Sequence, residues 1–124
     1  MPVAFFHQAN LRMLAEAIRH ALGRGVRRIE CGGEDASRTP VDLLIDFARA
    51  GVEAGACRYV FADTTGCLTP EATRHYCSVL SAALPNIERV VHFHDDFGLA
   101  AANTITGILN GFTTFTTSRY NAAE

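Results

Sequence analysis

Apolar positions along the chain alternate between two spacings. Segments with apolar residues three and four positions apart predict helices, and short apolar runs between them predict strands. Leu11, Leu14, Ile18 and Leu22, for example, share one face of a predicted helix. The full series is a helix at about 9–23, a strand at 26–31, a helix at 40–55, a strand at 57–61, a helix at 69–84, a strand at 88–93, a helix at 99–109 and a strand at 112–117.

Turn and capping residues support these boundaries. Gly23 and Gly55 stand where two of the helices should end. Thr39–Pro40 and Thr69–Pro70 each place a capping hydroxyl before a proline that suits the first turn of a helix. A Thr–Pro pair therefore predicts the start of each of two successive helices.

Strand and helix alternate with a period of roughly 30 residues, the size of a βαβ unit. Such alternation predicts the α/β class, with a parallel sheet covered by helices. The loops that follow the strands of such a sheet meet at one edge, where ligands bind. The sequence therefore predicts one domain over residues 1–124, with its chemistry in those loops.

Composition excludes several classes of function. Of the 124 residues, 48% are hydrophobic and 19% are charged, which is enough for a folded core. A net charge of −2 without a basic run argues against nucleic acid and membrane-surface partners. No segment is apolar for long enough to span a bilayer, and Met1–Phe6 lacks the basic lead of a signal peptide. The four cysteines form no C-x-x-C pair and lie in or beside apolar runs, which predicts buried, reduced thiols in a cytoplasmic protein.

His92 and His94 are the strongest local signal of chemistry. Residues two apart on a strand point to the same side, so both rings should project together where the third strand ends. Two imidazoles at this spacing can share one cation, although a tight site needs further ligands. Alternatively, both rings hydrogen-bond within a loop and have a structural role.

Two other loops carry polar groups at strand ends. Glu30 and Glu34 fall on the same side of the first strand by alternation, with Gly32 between them. Asp63 and Thr64 follow the second strand, where a hydroxyl beside a carboxylate suits binding of a substrate carboxylate. An ordinary surface salt-bridge cluster and an Asp/Thr turn are the structural alternatives. If the binding interpretation holds, the parallel sheet should place Glu30, Thr64, His92 and His94 around one rim.

Three segments resemble the motifs of the DRE-TIM metallolyase superfamily, which includes 2-isopropylmalate synthase, homocitrate synthase and hydroxymethylglutaryl-CoA lyase. Residues 92–103, HFHDDFGLAAAN, resemble its H-x-H-N-D-x-G-x-A-x-A-N segment. Residues 34–38, EDASR, resemble E-D-A-x-R after its fifth strand, and residues 62–66 with Thr69–Pro70 resemble D-T-x-G…P after its sixth. The segments follow the family's order over about residues 25–111, and their residues resemble the synthase branch more than the lyase branch.

The resemblance implies a partial (β/α)8 TIM barrel, in which this chain holds family strands five to eight as about four βα units. His92 and His94 would be ligands of a divalent metal, Mg, Mn or Zn. Thr64 would lie near the carboxylate of a bound 2-oxo acid, and Glu30 matches a fifth-strand position that faces the substrate. Loop-bracing roles are implied for Glu34, Arg38, Asp63 and Asp96.

The implied reaction is a Claisen-type condensation of acetyl-CoA with a 2-oxo acid. The metal would polarise the carbonyl of the 2-oxo acid for attack by the enolate of acetyl-CoA, and the thioester would then be hydrolysed. An acyl-CoA lyase or aldolase reaction of the same superfamily is the alternative chemistry. The partners implied are therefore these small molecules, with a second copy or a complementary half-barrel chain to complete the site.

The chain also departs from the family pattern. The D-R-E motif of the family's first strand, which carries the catalytic arginine and a metal ligand, has no counterpart here. Residues 117–124 lack its G-E-R loop and metal-binding asparagine, and Asp95 replaces another common asparagine. Because a barrel needs about 200 residues to close, three arrangements are open: a fragment, a half that pairs with its own copy or another chain, or an open three-layer sandwich. The isolated chain is therefore expected to be inactive. A non-catalytic truncated or pseudoenzyme domain, which completes or binds a partner half-barrel, is the second functional hypothesis.

Overall fold

The computed structural model describes residues 3–117, with side chains described from residue 6 onward. Helices and strands alternate along this whole range, as the apolar pattern predicted. A short 3-10 turn, Ala36–Arg38, interrupts the first loop. The elements are α1 (Val3–Gly23), β1 (Glu30–Gly33), α2 (Val41–Ala54), β2 (Arg58–Asp63), α3 (Pro70–Ala83), β3 (Glu88–Phe93), α4 (Ala100–Leu109) and β4 (Thr114–Thr116).

Two predicted element starts differ from the structure by four residues or more. Helix α1 begins at Val3 rather than near residue 9, and β1 begins at Glu30 rather than at Val26. Val26 is 47% exposed, so the apolar residue that suggested an earlier strand start contributes little to the core. The strand next to the first candidate loop is therefore only four residues long.

The two Thr–Pro pairs start helices in different ways. Thr69 caps α3 as predicted: its side chain accepts a hydrogen bond from the Ala72 N–H at 3.2 Å, and Pro70 occupies the first turn. Thr39 does not cap α2, because its hydroxyl donates to the carbonyl of Asp35 at 3.0 Å. The predicted cap is wrong at Thr39, where the hydroxyl closes the preceding loop instead.

All four strands are parallel and lie in the order β1-β2-β3-β4. Side chains from alternate positions face the helices and form the core, including Cys31, Tyr59, Phe61 and Val91. The edge-on packing of Phe61 and Phe112, with centroids 6.5 Å apart, joins β2 to the start of the last strand. The core is therefore the single layer between the sheet and its helices.

Close helix–sheet packing occurs through small residues. Gly51 of α2 lies against Cys31, where a Cβ would approach the Cys31 Sγ to 2.5 Å. Gly107 of α4 lies against Val91 in the same way, at 3.0 Å. Because both helices contact the same face of the sheet, the open three-layer sandwich is wrong for the described residues. A parallel sheet with helices on one face is the arrangement of a barrel wall.

The last strand and helix leave an apolar edge uncovered. On α4, Ile105 is 63% exposed and Leu109 is 79% exposed, and Phe115 of β4 is 54% exposed. These side chains line a cleft of about 1220 Å³ that reaches His92 and His94. A barrel wall would continue at this edge. No helix within residues 3–117 is long and apolar enough to cross a membrane.

Candidate functional site

The carboxyl ends of β2 and β3 bring most of the predicted site residues to one rim. Strand register pairs Ala62 with His92 and Asp63 with Phe93, so the loops after the two strands start side by side. The His94 N–H donates to the carbonyl of Asp63 at 3.3 Å, which holds these loops together. Thr64, His92 and His94 therefore occupy neighbouring positions, as the parallel arrangement predicted.

The two histidines form a pair at this rim. Their ring centroids are 5.2 Å apart and their planes meet at 80°. His92 is half-buried, and its Nδ1 lies 3.0 Å from Thr116 Oγ1 and 3.2 Å from the Thr116 carbonyl oxygen. His94, at the start of the loop, is exposed. The Nε2 of His92 and the ring of His94 are thus available to one ligand in the cleft.

This donor set is suited to part of a divalent metal site. Neutral imidazole is a common ligand for first-row transition metals, and the Nδ1 contact of His92 leaves Nε2 as its coordinating atom. Within the part of the chain that the structure describes, no group of three or more His, Cys, Asp or Glu side chains is placed to hold a metal. The described residues can therefore supply two of the ligands of a divalent metal, and the remaining ligands must come from elsewhere.

Thr64 belongs to the second loop, the one after β2, and contacts the first loop. Its Oγ1 accepts a hydrogen bond from the Asp35 N–H at 2.8 Å. The hydroxyl proton of Thr64 is not needed for that contact and stays available for an acceptor on a ligand. The position of Thr64 at the rim is compatible with the carboxylate-binding role that the resemblance implies.

Asp63 and Arg38, for which the resemblance implies loop-bracing roles, both form hydrogen bonds within the loops. Asp63 is fully buried, and its carboxylate accepts from the N–H groups of Cys67 at 3.3 Å and Leu68 at 3.1 Å. Arg38 forms an ion pair with Asp35: its Nε donates to both carboxylate oxygens, at 2.8 Å and 3.0 Å, and its Nη2 donates at 2.7 Å. The hydrogen bond from Arg38 lowers the pKa of Asp35, and the same contact raises the pKa of Arg38. Each carboxylate thus fixes the loop in which it lies.

Glu34 and Asp96 have different surroundings from those expected of bracing residues. Glu34 is exposed and lines a small cavity of about 370 Å³ between α1 and α2. Asp96 packs against Gly66 of the second loop, where a Cβ would approach the Asp96 N to 2.9 Å. The side chain of the neighbouring Asp95 accepts from the Ala100 N–H at 3.0 Å, at the start of α4.

The ion pair of Asp35 with Arg38 is the surface salt bridge that was the structural alternative for this loop. Asp95 was not among the expected bracing residues, and its position five residues before α4 gives no capping signal in the sequence.

Glu30 does not reach the rim. It is the first residue of β1 and pairs in register with Arg58, which pairs with Glu88, the first residue of β3. His92 follows Glu88 by four residues on β3, which is roughly 13 Å at 3.3 Å per residue. Glu30 therefore lies at the amino-terminal end of the sheet, and the expected rim of four residues contains three of them.

Instead, Glu30 belongs to a polar row across the starts of the strands, on the face away from the helices. Arg58 donates to Glu88 at 3.0 Å and 3.1 Å and lies 3.5 Å from Glu30. The Thr114 hydroxyl donates to Glu88 at 2.7 Å. These contacts, first that of Thr114 and then that of Arg58, lower the pKa of Glu88. We call Glu30, Arg58, Glu88 and Thr114 the floor row.

The four cysteines are all unpaired, but only two of them are buried. Cys31 and Cys77 are in the core, Cys67 is half-buried and Cys57 is exposed. The prediction of four buried thiols is therefore wrong for exposed Cys57, and it holds only in part for half-buried Cys67. Burial raises the pKa of Cys31 to about 11 and that of Cys77 to about 12.

The fold and the site together define a class of protein: a segment of a (β/α) barrel with a histidine pair and a hydroxyl at its carboxyl-terminal rim. Residues 7–118 match the HMGL-like family, and the chain belongs to that family. The resemblance to the DRE-TIM metallolyases is thereby confirmed.

Relatives by sequence include homocitrate synthases. The chain is 41% identical over 103 residues to the homocitrate synthase of Saccharolobus solfataricus, covering 83% of this chain and 22% of that protein. It is 42% identical over 101 residues to the homocitrate synthase AksA of Methanocaldococcus jannaschii, covering 82% of this chain and 25% of that protein. The chain thus spans about a quarter of the length of the curated relatives it matches.

Solved structures with the same fold include two HMG-CoA lyases. The Bacillus subtilis enzyme superposes with a TM-score of 0.74 at 24% identity, over 87% of this chain and 38% of that one. The Brucella melitensis enzyme gives 0.75 at 20% identity, over 85% of this chain and 39% of that one. These neighbours confirm the prediction of a partial TIM barrel.

Proposed function

We propose that this chain forms part of the active-site rim of a homocitrate synthase-like acyltransferase that condenses acetyl-CoA with a 2-oxo acid. The observation that carries the proposal is the placement of His92, His94 and Thr64 on neighbouring loops at one rim. The identity of 41% to a homocitrate synthase, over 83% of the chain, favours the synthase branch.

In this proposal His92 and His94 would hold a divalent metal, through Nε2 of His92 and the exposed ring of His94. When bound, the metal supplies polarisation of the 2-oxo acid carbonyl. Thr64 donates its hydroxyl proton to the substrate carboxylate, while the Asp35 N–H orients its oxygen from the other side. Arg38, Asp63 and Asp95 keep the three loops in place. Glu30, in the floor row, supports the barrel wall rather than the substrate.

The remaining ligands and the rest of the barrel would come from outside the described residues, either from a complementary half or from a second copy. The uncovered apolar face around Ile105, Leu109 and Phe115 supports such a completed barrel. We place the protein in the cytoplasm, where its unpaired cysteines would stay reduced.

A non-catalytic role is the second candidate, and one observation favours it. No group of three metal-ligating side chains is found in residues 3–117, so the chain alone has an incomplete site. A domain of this kind would complete or bind a partner half-barrel. A lyase or aldolase of the same superfamily remains the alternative chemistry.

Calorimetric titration of the 124-residue chain with Mn²⁺ and Zn²⁺ tests the metal part of the proposal. We expect binding in the wild type and its loss in the double variant His92→Ala/His94→Ala. His20→Ala/His75→Ala, two exposed histidines on helices, is the matched control and should bind as the wild type does. Binding that the first double variant retains would contradict the metal site.

Thiol release from acetyl-CoA, measured over a panel of 2-oxo acids, tests the reaction. Activity that depends on His92 and on one 2-oxo acid would support the synthase proposal. Because the proposal places the remaining ligands outside this chain, thiol release is expected only when a complementary half-barrel or a second copy completes the site. Metal binding without thiol release by that completed barrel would favour the non-catalytic role.

A further inference from the structure

One contact at the rim is made by a residue that none of the family-like motifs includes. Thr116 is the last residue of β4 and the register partner of His92 on β3. Both oxygens of Thr116 lie at hydrogen-bond distance from the same ring nitrogen, His92 Nδ1: the hydroxyl at 3.0 Å and the carbonyl at 3.2 Å.

The two oxygens differ in what they can do. A carbonyl oxygen only accepts hydrogen bonds, whereas a hydroxyl can either donate or accept. Both contacts are favourable together only when His92 Nδ1 carries the proton and shares it between the two acceptors. In a neutral ring the other nitrogen, Nε2, then has a free lone pair.

We propose that Thr116 is a positioning residue that holds His92 in the Nδ1–H tautomer, with Nε2 ready to bind a metal. The inference rests on the proposed function, since it concerns the same metal site. In metal sites, the partner of the second ring nitrogen fixes both the tautomer and the orientation of a histidine ligand. Here a short edge strand supplies that partner through its side chain and its backbone.

His94 provides an internal comparison. Its ring contacts the ring of His92, and it is exposed at the start of the loop. Within residues 3–117 no hydrogen bond involves a ring nitrogen of His94, so no partner of the kind that Thr116 offers constrains its tautomer. The two ligands of one site should therefore differ in how firmly their tautomer is set.

Nitrogen-15 NMR of the histidine rings in the metal-free 124-residue chain tests this directly, at a pH where both rings are neutral. We expect His92 to show protonated Nδ1 and unprotonated Nε2, with His94 as a mixture of tautomers. Thr116→Val removes the hydroxyl but leaves the carbonyl, which still requires Nδ1–H, so His92 should keep its tautomer while its Nδ1 resonance shifts with the loss of one of its two acceptors. Thr116→Ser should retain the wild-type resonance.

Thr114→Val is the matched control, because it alters the same strand and its hydroxyl contacts Glu88 instead of His92. It should leave the His92 spectrum unchanged, which separates loss of the contact from loosening of β4. Zn²⁺ affinity gives a second readout. Thr116→Val should weaken it by about tenfold, which is the smaller end of the affinity losses that follow when a histidine ligand loses its hydrogen-bond partner. Thr116→Ser should weaken it by less than about twofold.

A wild-type His92 protonated at Nε2 would overturn the proposal, and so would a Thr116→Val chain in which both the His92 Nδ1 resonance and the Zn²⁺ affinity are unchanged. The NMR readout needs no metal, so it decides the role of Thr116 even if titration shows that His92 and His94 bind none. Failure of the metal site and failure of the Thr116 contact are therefore separate results.

Discussion

The backbone N–H of Asp35 donates to the hydroxyl oxygen of Thr64 at 2.8 Å, which joins the loop after β1 to the loop after β2. Asp35 itself lies in the left-handed region, with φ of 58°, and pairs with Arg38. The Thr64 hydroxyl, which we propose contacts the substrate, is thus oriented by the loop after β1. That loop is itself held by the ion pair between Asp35 and Arg38. A change at Thr64 should therefore affect both loop stability and ligand binding.

We expect Thr64→Val to lower the free energy of unfolding by about 1 kcal/mol, because the Asp35 N–H loses its acceptor. Thr64→Ser keeps the oxygen and should have a smaller effect. In the presence of metal, the Val variant should bind 2-oxo acids at least about tenfold more weakly, the cost of one charge-assisted hydrogen bond. Urea unfolding and calorimetry measure the two effects, and equal binding by both variants would contradict the role of the hydroxyl.

Two tyrosines offer a matched test of buried hydroxyl groups. Tyr76 donates to the carbonyl oxygens of Ser37 and Thr39, both at 3.2 Å, whereas the Tyr59 hydroxyl is buried without a partner among the described residues. Tyr76→Phe should cost about 1 kcal/mol of stability, and Tyr59→Phe should cost nothing or stabilise the chain. Thermal and urea unfolding of both variants check this order, which the reverse result would refute.

The floor row should make stability depend on acid pH through Glu88. Hydrogen bonds from Thr114 and Arg58 lower the pKa of Glu88 in the folded chain. A lowered pKa stabilises the fold above the ordinary glutamate pKa, and this contribution is lost as pH falls through the folded value.

Accordingly, Glu88→Gln should be less stable than the wild type at pH 7, and the difference should shrink as pH falls below about 4.3. Urea midpoints between pH 7 and pH 3 give the comparison. Glu53→Gln, at an exposed position on α2, is the control and should follow the wild-type curve throughout. A constant difference between wild type and Glu88→Gln would argue against the lowered pKa.

Cysteine labelling should follow burial and pKa. Cys57 is exposed, whereas burial raises the pKa of Cys31 to about 11 and that of Cys77 to about 12. At pH 8 an alkylating reagent should modify Cys57 first and half-buried Cys67 more slowly, and it should reach the other two only after unfolding. Peptide mass spectrometry over time records the order, and early labelling of Cys77 would contradict the described core.

The fold was predictable because each unit buries one apolar face. Helical spacing at Leu14 and Ile18 and the apolar run around Val60 are enough to predict alternating elements and a parallel sheet. How far along a strand each residue lies is set by register with its neighbours, which the pattern does not contain. The sequence therefore predicts Glu30 at the rim, whereas Glu30 is the first residue of β1 and lies at the opposite end of the sheet.

The candidate site was predictable where strand alternation still applied. His92 lies on β3 and His94 directly after it, and the two rings are adjacent as expected. Beyond the strand end, alternation no longer indicates direction: the left-handed Asp35 turns the first loop, so Asp35 rather than Glu34 pairs with Arg38. Thr116 could not be found from the sequence, because its contact with His92 depends on the pairing of β3 with β4.

The sheet is fastened separately at its two ends, by the floor row at the strand starts and by the loop contacts around Asp63 and Thr64 at the rim. Mutations at one end should therefore accumulate with little effect on the other. A variant that weakens the rim contacts should leave the alignment of the strand starts intact, and a variant in the floor row should leave the loops at the rim joined.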